Sequence, residues 1–383
     1  MIKVPHKLKY MPFFALIVLL TGCWDFQDVN RRSITVSVGV DKINGNIVYS
    51  GANALLVPAK KSGQGGQASA QVSDVYPFSA ESGRDFEDAR LSYNVNMPEP
   101  DFLGAVRAVV LSQEIAREGI EPYVNRVNRL FGYRKTLPFV ISRESPAELL
   151  TKNVKNYISV GFAIESTLEH LYREGIILYP RVAQVISDIA LGDIGYVLPY
   201  VSKKNDSIEI LGYAVIKESK MIDILSIREA NGLLFLNARN PIVKETFPHP
   251  ENKSNNISTN TSLKERKIRT SYSNNKIDIS VRLEMNTQIQ YEYFVQPITE
   301  NDKKSLEATI TEKIKSDVMS NIYKSQKVYK SDLFDFALYF RAQNSEIFKK
   351  IDWKKDYPDA NITVDVVVKI INTNLFDPSA KPK

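Results

Sequence analysis

The sequence of 383 residues predicts an α+β protein, with antiparallel sheets and packed helices following a signal peptide. Several segments alternate apolar and polar residues with a period of two and are separated by turn residues, as strands of hairpins are. Amphipathic segments with capping residues lie among them, without the strict strand-helix alternation of parallel βαβ units. Apolar residues make up 43% of the chain, which is enough to form a core.

The N-terminus has the layout of a secretory signal peptide at residues 1–22. Three lysines lie among the first nine residues, and residues 11–20 form an apolar run. Ten helical residues reach about 15 Å, well short of the roughly 30 Å hydrocarbon core of a bilayer. We therefore expect this segment to be cleaved after Gly22 rather than to anchor the protein as a span.

The residues around the expected cleavage point resemble a bacterial lipobox, Leu20-Thr21-Gly22-Cys23. In such signals the cysteine thiol receives a diacylglycerol and becomes the new N-terminus. Two acyl chains anchor a protein stably at about 0.8 kcal/mol per buried CH₂, whereas one chain is marginal. An ordinary buried cysteine is the alternative, but Cys23 is the only cysteine of the chain. We therefore expect a body tethered through Cys23 to the outer leaflet of the cell membrane.

Residues 23–198 are predicted to form an N-terminal α+β domain. Residues 34–41 and 47–58 alternate on either side of Asn44-Gly45, a strong hairpin signal. Residues 60–69 are rich in Gly, Ser and Gln and lack the Walker pattern, so a surface loop is expected there. Further elements are predicted from capping residues and apolar patterns: strands at 105–111 and 137–142, and helices at 84–93 behind Ser82, at 113–119 behind Ser112, at 121–131 and from Ser145-Pro146 onward.

A small β-rich middle domain is predicted at residues 206–240. Residues 203–207 form a polar turn, and residues 208–217 and 220–225 alternate like the two strands of a hairpin. Asn231-Gly232 is interpreted as a break before residues 233–236.

A C-terminal domain of sheet followed by helices is predicted at residues 241–378. Strands are expected at 242–247, 262–271 and 277–286, with a polar loop at 248–260. Leu306, Ile310, Ile314, Val318 and Ile322 recur every four residues, which predicts a helix over 302–327 packed on the sheet. A helix capped by Ser331-Asp332 and a last strand at 362–371 follow.

No catalytic, cofactor-binding or metal-binding residues can be assigned from motifs. One cysteine and three scattered histidines are a poor source of zinc ligands. His170 and His249 could act as bases, but surface or capping roles are favoured for both. The acidic pairs Asp85/Asp88 and Asp332/Asp335 lie near predicted helix starts, where the helix dipole accounts for them.

The charge of the chain does not point to a nucleic-acid partner. Cleavage of the signal removes three lysines and no acidic residue, which lowers the net charge from +6 to +3. Nucleic-acid-binding domains carry a stronger basic excess than this.

Short motifs spread in order along the chain resemble the C subunits of spore germinant receptors, the Ger(x)C lipoproteins. The family begins Gly-Cys-Trp-Asp, as residues 22–25 do here, and a strand ending Gly39-Val40-Asp41 follows. The remaining matches lie in the body and toward its end: residues 211–217, Lys220-Met221, residues 331–336, Trp353 and Tyr357-Pro358.

This resemblance implies a fold of three mixed α/β domains and a function without catalysis. The protein would be the lipoprotein subunit of a nutrient receptor at the spore inner membrane. It would assemble with two integral membrane subunits, A and B, and be required for nutrient-triggered germination. Cys23 carries over as the lipid attachment point.

Two other functions remain open on the residues alone. A solute-binding lipoprotein of a transporter would show two lobes built on parallel sheets, which the hairpins of the last third disfavour. A lipid-anchored hydrolase would need two converging carboxylates of perturbed pKa, which can lie far apart in sequence.

Overall fold

The computed structural model describes residues 32–57, 71–97, 99–130, 132–294, 296 and 298–372. The signal peptide, the lipobox with Gly22 and Cys23, and the Gly-rich segment 60–69 lie outside these residues. Within the described part of the chain, no helix has both the length and the apolar character that a membrane crossing requires.

The described residues form strands and helices that alternate irregularly along the chain. The strands are β1 Ser33–Ile43, β2 Asn46–Val57, β3 Gln71–Gly83, β4 Asp101–Phe102, β5 Ala108–Leu111, β6 Phe139–Ser142, β7 Tyr196–Lys204, β8 Ser207–Lys217, β9 Lys220–Ser226, β10 Ile242–Pro248, β11 Asn256–Ser273, β12 Lys276–Glu292 and β13 Asn361–Asn372. The helices are α1 Phe86–Val95, α2 Gln113–Glu118, α3 Glu121–Arg129, α4 Pro146–Leu150, α5 Val160–Arg173, α6 Val182–Leu191, α7 Asn231–Asn237, α8 Glu300–Tyr323, α9 Phe336–Gln343, α10 Ser345–Phe348 and α11 Trp353–Asp356.

The first sheet has the strand order β3-β2-β1-β5-β6-β7-β8-β9, with β4 paired to β1. Its middle strands β1, β5, β6 and β7 run parallel, while the outer strands form antiparallel hairpins. Strands β5 and β6 are buried at every residue, as strands covered on both faces are. Such short apolar runs carry no sign of strand direction, which is why the parallel pairing was not predicted.

The second sheet has the order β10-β11-β12-β13 and is antiparallel except between β12 and β13. Its strands bury every second residue, as on β13, where Ile362, Val364, Val366, Val368 and Ile370 face the core. The predicted apolar residues of α8 are all buried in the same core, which confirms a helix packed on the sheet. Thr299 and Asp302 close its N-terminus with a capping box.

The two predicted hairpins β1-β2 and β8-β9 are confirmed. The polar turn at residues 203–207 joins a further antiparallel pair, β7 and β8, which was not predicted. Other predictions need correction. Strand β3 was not predicted, and it ends at Gly83, so α1 begins later than expected and is capped by Asp85 rather than Ser82. Asn231-Gly232 lies inside α7 instead of breaking the chain.

The predicted cap at Ser331-Asp332 is also wrong, since α9 begins at Phe336 behind Asp335. Asp332 is buried before the helix instead, and its carboxylate accepts hydrogen bonds from the backbone N–H of Phe334 and Ala337. A local pattern of Ser-Asp before apolar residues cannot distinguish these two arrangements.

The division into three domains stays a prediction. At the first predicted boundary, the strands of the sheet pair across the boundary. Strands β7 and β8 lie on opposite sides of the boundary expected between residues 198 and 206. They pair from Tyr196 with Ile216 to Lys204 with Ser207, with one register shift between Tyr200 and Val201.

Candidate functional site

A cleft with a volume of about 400 Å³ opens between the end of the first sheet and the segment that follows α8. We call it the basic cleft, because five of its lining residues are lysines: Lys217, Lys327, Lys330, Lys354 and Lys355. The cleft combines segments separated by more than 100 residues, from the end of α6, the β8-β9 turn and the chain around α11.

One wall of the cleft follows α6, where the chain turns into β7. The helix ends at Gly192, whose φ of +70° is in the left-handed region that glycine adopts without strain. The next residues run beside Asp332, and the N–H of Gly195 donates to the Asp332 carbonyl at 2.7 Å. A Cβ at Gly195 would lie 2.6 Å from the Ser331 Oγ, so only glycine fits this contact.

The opposite wall begins where α8 widens into a π-helical turn, Lys324–Tyr329. Lys330 follows with a φ of +50°, and the chain reverses there. Two hydrogen bonds hold the reversal: the Ser331 N–H donates to the Ser325 carbonyl at 3.0 Å, and the Ser325 hydroxyl donates to the Ser331 carbonyl at 2.6 Å. Gln326 ties the turn to the chain after α11 by donating to the carbonyls of Tyr357 and Ala360.

Aromatic side chains support the cleft from inside the second core. Trp353 is 2% exposed and stacks on Tyr357, with ring centroids 5.8 Å apart and an interplanar angle of 25°. Phe340 packs on the other side of the indole at 5.4 Å. The Nε1–H of Trp353 is buried and has no hydrogen-bond acceptor among the described residues.

Two of the five lysines are paired with acidic residues of the cleft. Lys327 forms an ion pair with Asp359 at 3.0 Å, and Lys354 forms one with Glu218 at 3.5 Å. The Lys217 ammonium donates to the backbone carbonyl of Tyr329 at 3.0 Å.

Lys330 and Lys355 are exposed at the cleft and form no ion pair among the described residues. The basic cleft therefore holds more positive charge than its own carboxylates neutralise.

Buried carboxylates lie behind the cleft and differ from those at its rim. Burial raises the pKa of Asp332 to about 7, although the backbone N–H groups of Phe334, Phe336 and Ala337 oppose this by stabilising the charged form. Burial also raises the pKa of Asp188, on α6, to about 7. Asp335 adds to both shifts through its negative charge. With pKa values of about 7, Asp188 and Asp332 are only partly ionised at neutral pH and contribute less negative charge than two exposed carboxylates would.

The residues considered from sequence as possible bases lie apart from the basic cleft. His170 is exposed on α5, and His249 is buried beyond β10, where its Nδ1 accepts from the N–H of Glu251 at 3.2 Å. Asp85 caps α1, and Asp88 accepts from the N–H of Arg84. The described part of the chain contains no cluster of three or more His, Cys, Asp or Glu residues that could hold a metal ion.

Sequence reasoning did not predict the basic cleft, although several of its residues belong to motifs already noted. Lys217, Ser331, Asp332, Trp353 and Tyr357 all lie in the short segments that resemble the receptor family, and the fold brings them to one place. The lysines themselves did not indicate a cleft, because isolated lysines in a sequence are usually exposed to solvent.

Comparison with known proteins gives the same assignment over nearly the whole chain. Residues 25–203 match the family model "Spore germination protein N-terminal domain". Residues 211–374 match the model "Spore germination B3/ GerAC like, C-terminal". Together the two models account for most of the sequence in the expected order.

Individual relatives and one solved structure agree with the family models. Spore germination protein B3 of Bacillus subtilis is 22% identical over 379 residues, covering 95% of this chain and 97% of the relative. YfkR of the same organism is 23% identical over 375 residues, covering 93% and 94%. The crystal structure of the GerBC protein matches 88% of this chain and 97% of its own, with a TM-score of 0.52 and 16% identity, which shows a common fold. The chain therefore belongs to the spore germination B3/GerAC family.

Proposed function

We propose that this protein is the lipid-anchored subunit of a nutrient germinant receptor and is required for nutrient-triggered spore germination. The observation that carries the proposal is the match of two spore germination family models, in order, to residues 25–203 and 211–374. The full-length likeness to spore germination protein B3 supports the same role.

The anchoring part of the proposal depends on the lipobox. Acylation of Cys23 would tether the protein at the outer leaflet of the spore inner membrane. Ser33, where β1 begins, is the tenth residue after Cys23. An extended segment of this length reaches about 33 Å, so the folded body would stay close to the bilayer.

Tethering would also favour assembly with the integral membrane subunits A and B. A protein confined to a thin layer at the membrane meets its partners at a raised effective concentration, and weak contacts then suffice for a complex. The folded surface of this subunit would supply those contacts.

The test is a clean deletion of the gene, followed by germination of the mutant spores with nutrients. A non-nutrient trigger serves as the control for spores that cannot germinate at all. The proposal is supported if the mutant spores lose a nutrient response but still respond to the non-nutrient trigger. The wild-type gene should then restore the nutrient response. Normal responses to all nutrients, in spores that carry no second receptor of this type, would contradict it and favour the transporter lipoprotein.

A further inference from the structure

We propose that the basic cleft binds a small anion that carries a carboxylate or phosphate group. This inference goes beyond the germination role and does not depend on it, because it concerns the chemistry of the folded body alone.

The charge balance of the cleft leaves cationic groups without counter-charge. Lys327 and Lys354 are compensated by Asp359 and Glu218. Three lysines remain: Lys217, Lys330 and Lys355.

The remaining carboxyl groups that line the cleft are those of Asp193 and Asp332, so two carboxyl groups face three lysines. Asp332 is fully enclosed, and burial favours its neutral form. An anion would supply the missing negative charge in a partly enclosed site, where screening by water is weaker than at an open surface.

Uncharged donors point to the same class of ligand. The indole N–H of Trp353 is a donor only, and it has no acceptor among the described residues although Trp353 is 2% exposed. Buried donors without partners are uncommon and call for an explanation. The hydroxyl of Ser331, at the same wall, is a second donor. Carboxylate and phosphate oxygens are strong acceptors for both groups.

The volume of the cleft sets the size of the ligand. A cavity of about 400 Å³ is at the lower end of the range for small-molecule sites, roughly 300–1,000 Å³. It would hold a metabolite-sized anion. It is bounded on opposite sides by different parts of the fold, so a ligand there would contact both.

The position of Lys330 is fixed by its backbone rather than left to a flexible loop. The residue has a φ of +50°, and the hydrogen bonds between Ser325 and Ser331 span it. On the other side of the cleft, Glu218 and Ser219 form the β8-β9 turn with φ values of +48° and +62°. Because the backbone is already fixed, only the side chain of Lys330 has to be ordered when an anion binds.

The experiment uses the full chain, purified in detergent, with the substitution Trp24→Phe. The sequence contains two tryptophans, so Trp353 is then the single tryptophan and reports from the wall of the cleft. Sodium phosphate and sodium glutamate are titrated separately, with sodium chloride keeping the ionic strength constant. Calorimetry on the same samples detects binding that leaves the fluorescence unchanged.

The expected result is saturable binding of at least one of the two probes. We expect Lys330→Gln and Lys355→Gln, singly and together, to weaken it, the double variant by about tenfold or more. The matched control is Lys304→Gln with Lys315→Gln, which removes the same charge from the exposed face of α8. Circular dichroism and thermal unfolding establish that each variant folds.

The outcomes separate the possible ligands. Saturation by phosphate alone or by glutamate alone would support the proposal and identify the recognised group. Absence of saturable binding of both probes to the folded protein would overturn it. Equal weakening in the Lys304/Lys315 control would also overturn it, since the effect would then be general charge screening. Binding of an acidic peptide but of neither small probe would contradict the proposal in favour of a protein partner. None of these results depends on germination, so the two proposals can fail separately.

Discussion

The Oδ1 atom of Asn321 accepts a hydrogen bond from the backbone N–H of Leu233 at 2.7 Å, across 88 residues of sequence. The Nδ2 of the same side chain donates to the Glu229 carbonyl, also at 2.7 Å. Asn321 is buried on α8, and its two bonds satisfy backbone groups at the start of α7. One amide therefore holds the segment after β9 against the long helix of the second core.

We expect Asn321→Ala to destabilise the protein by about 1–3 kcal/mol, because it leaves a buried donor and a buried acceptor without partners. Urea unfolding of the purified protein measures this. Asn301→Ala, at an exposed position of α8, is the control and should change the free energy of unfolding by less than about 0.5 kcal/mol. An equal loss in both variants would show that the two hydrogen bonds of Asn321 are not responsible, since alanine itself favours a helix more than asparagine does.

We expect Gly232→Ala to destabilise the same contact through backbone displacement. A Cβ there would lie 2.4 Å from the Asp317 carbonyl oxygen and 2.7 Å from the Val318 Cα, both backbone atoms. Such overpacking costs about 1–3 kcal/mol. Thermal unfolding compares it with Gly132→Ala, where the nearest atom is the Leu103 Cβ at 3.5 Å and little change is expected. A Gly232→Ala protein as stable as the wild type would mean that α7 and α8 can separate freely.

The raised pKa of Asp188 predicts a pH-dependent effect of Asp188→Asn. The folded protein has a pKa of about 7 for this group, whereas the unfolded chain has a value near 3.8. Native Asp188 therefore keeps its proton where the unfolded chain loses it, so this group destabilises the native state increasingly as pH rises from about 4 to about 7. The substitution removes that penalty. We expect almost no gain near pH 4 and a gain of about 4 kcal/mol at pH 8.

Urea unfolding at a series of pH values tests this, with Asp206→Asn in the exposed β7-β8 turn as the control. The difference between wild type and Asp206→Asn should be small and constant with pH. A flat difference for Asp188→Asn as well would show that the carboxyl group is charged in the native state at neutral pH. Asp335 is the titratable neighbour whose charge acts on Asp188, and the charge of Asp188 in turn raises the pKa of Tyr196.

We expect Cys23→Ala to abolish acylation and to release the protein from the membrane fraction. A single thiol is available for the diacylglycerol, and without it no acyl chains hold the body at the bilayer. Labelling of sporulating cells with a radioactive fatty acid, followed by membrane fractionation, measures both effects. Trp24→Phe keeps the thiol and should retain the label. Label that persists in the Cys23→Ala protein would rule out this cysteine as the attachment point.

Local signals were sufficient to predict the hairpins and the long helix. Asn44-Gly45 adopts φ values of +51° and +82°, as a tight two-residue hairpin turn requires, and those residue types favour this conformation. The four-residue spacing from Leu306 to Ile322 places one face of α8 on the sheet. In both cases the sequence pattern and the packing agree over a short stretch of chain.

Features set by distant packing were not predictable in the same way. Gly232 resembles a helix breaker in sequence, but the close approach of α8 requires a residue without a Cβ there. Asp332 resembles a helix cap, yet it is buried because the chain after α6 runs beside it. The basic cleft depends on the same long-range contacts, since its lysines come from residues 217 to 355.

The pairing of β7 with β8 determines where this protein can be cut for recombinant work. A product ending just after Lys204 would lose β8 and β9, exposing the backbone edge of β7 together with apolar side chains such as Val197 and Val201. Unpaired edges of this kind promote intermolecular strand addition and insoluble material. A shortened product that ends beyond Ser226 keeps the first sheet whole, so truncation libraries should begin there rather than at the boundary between the two family models.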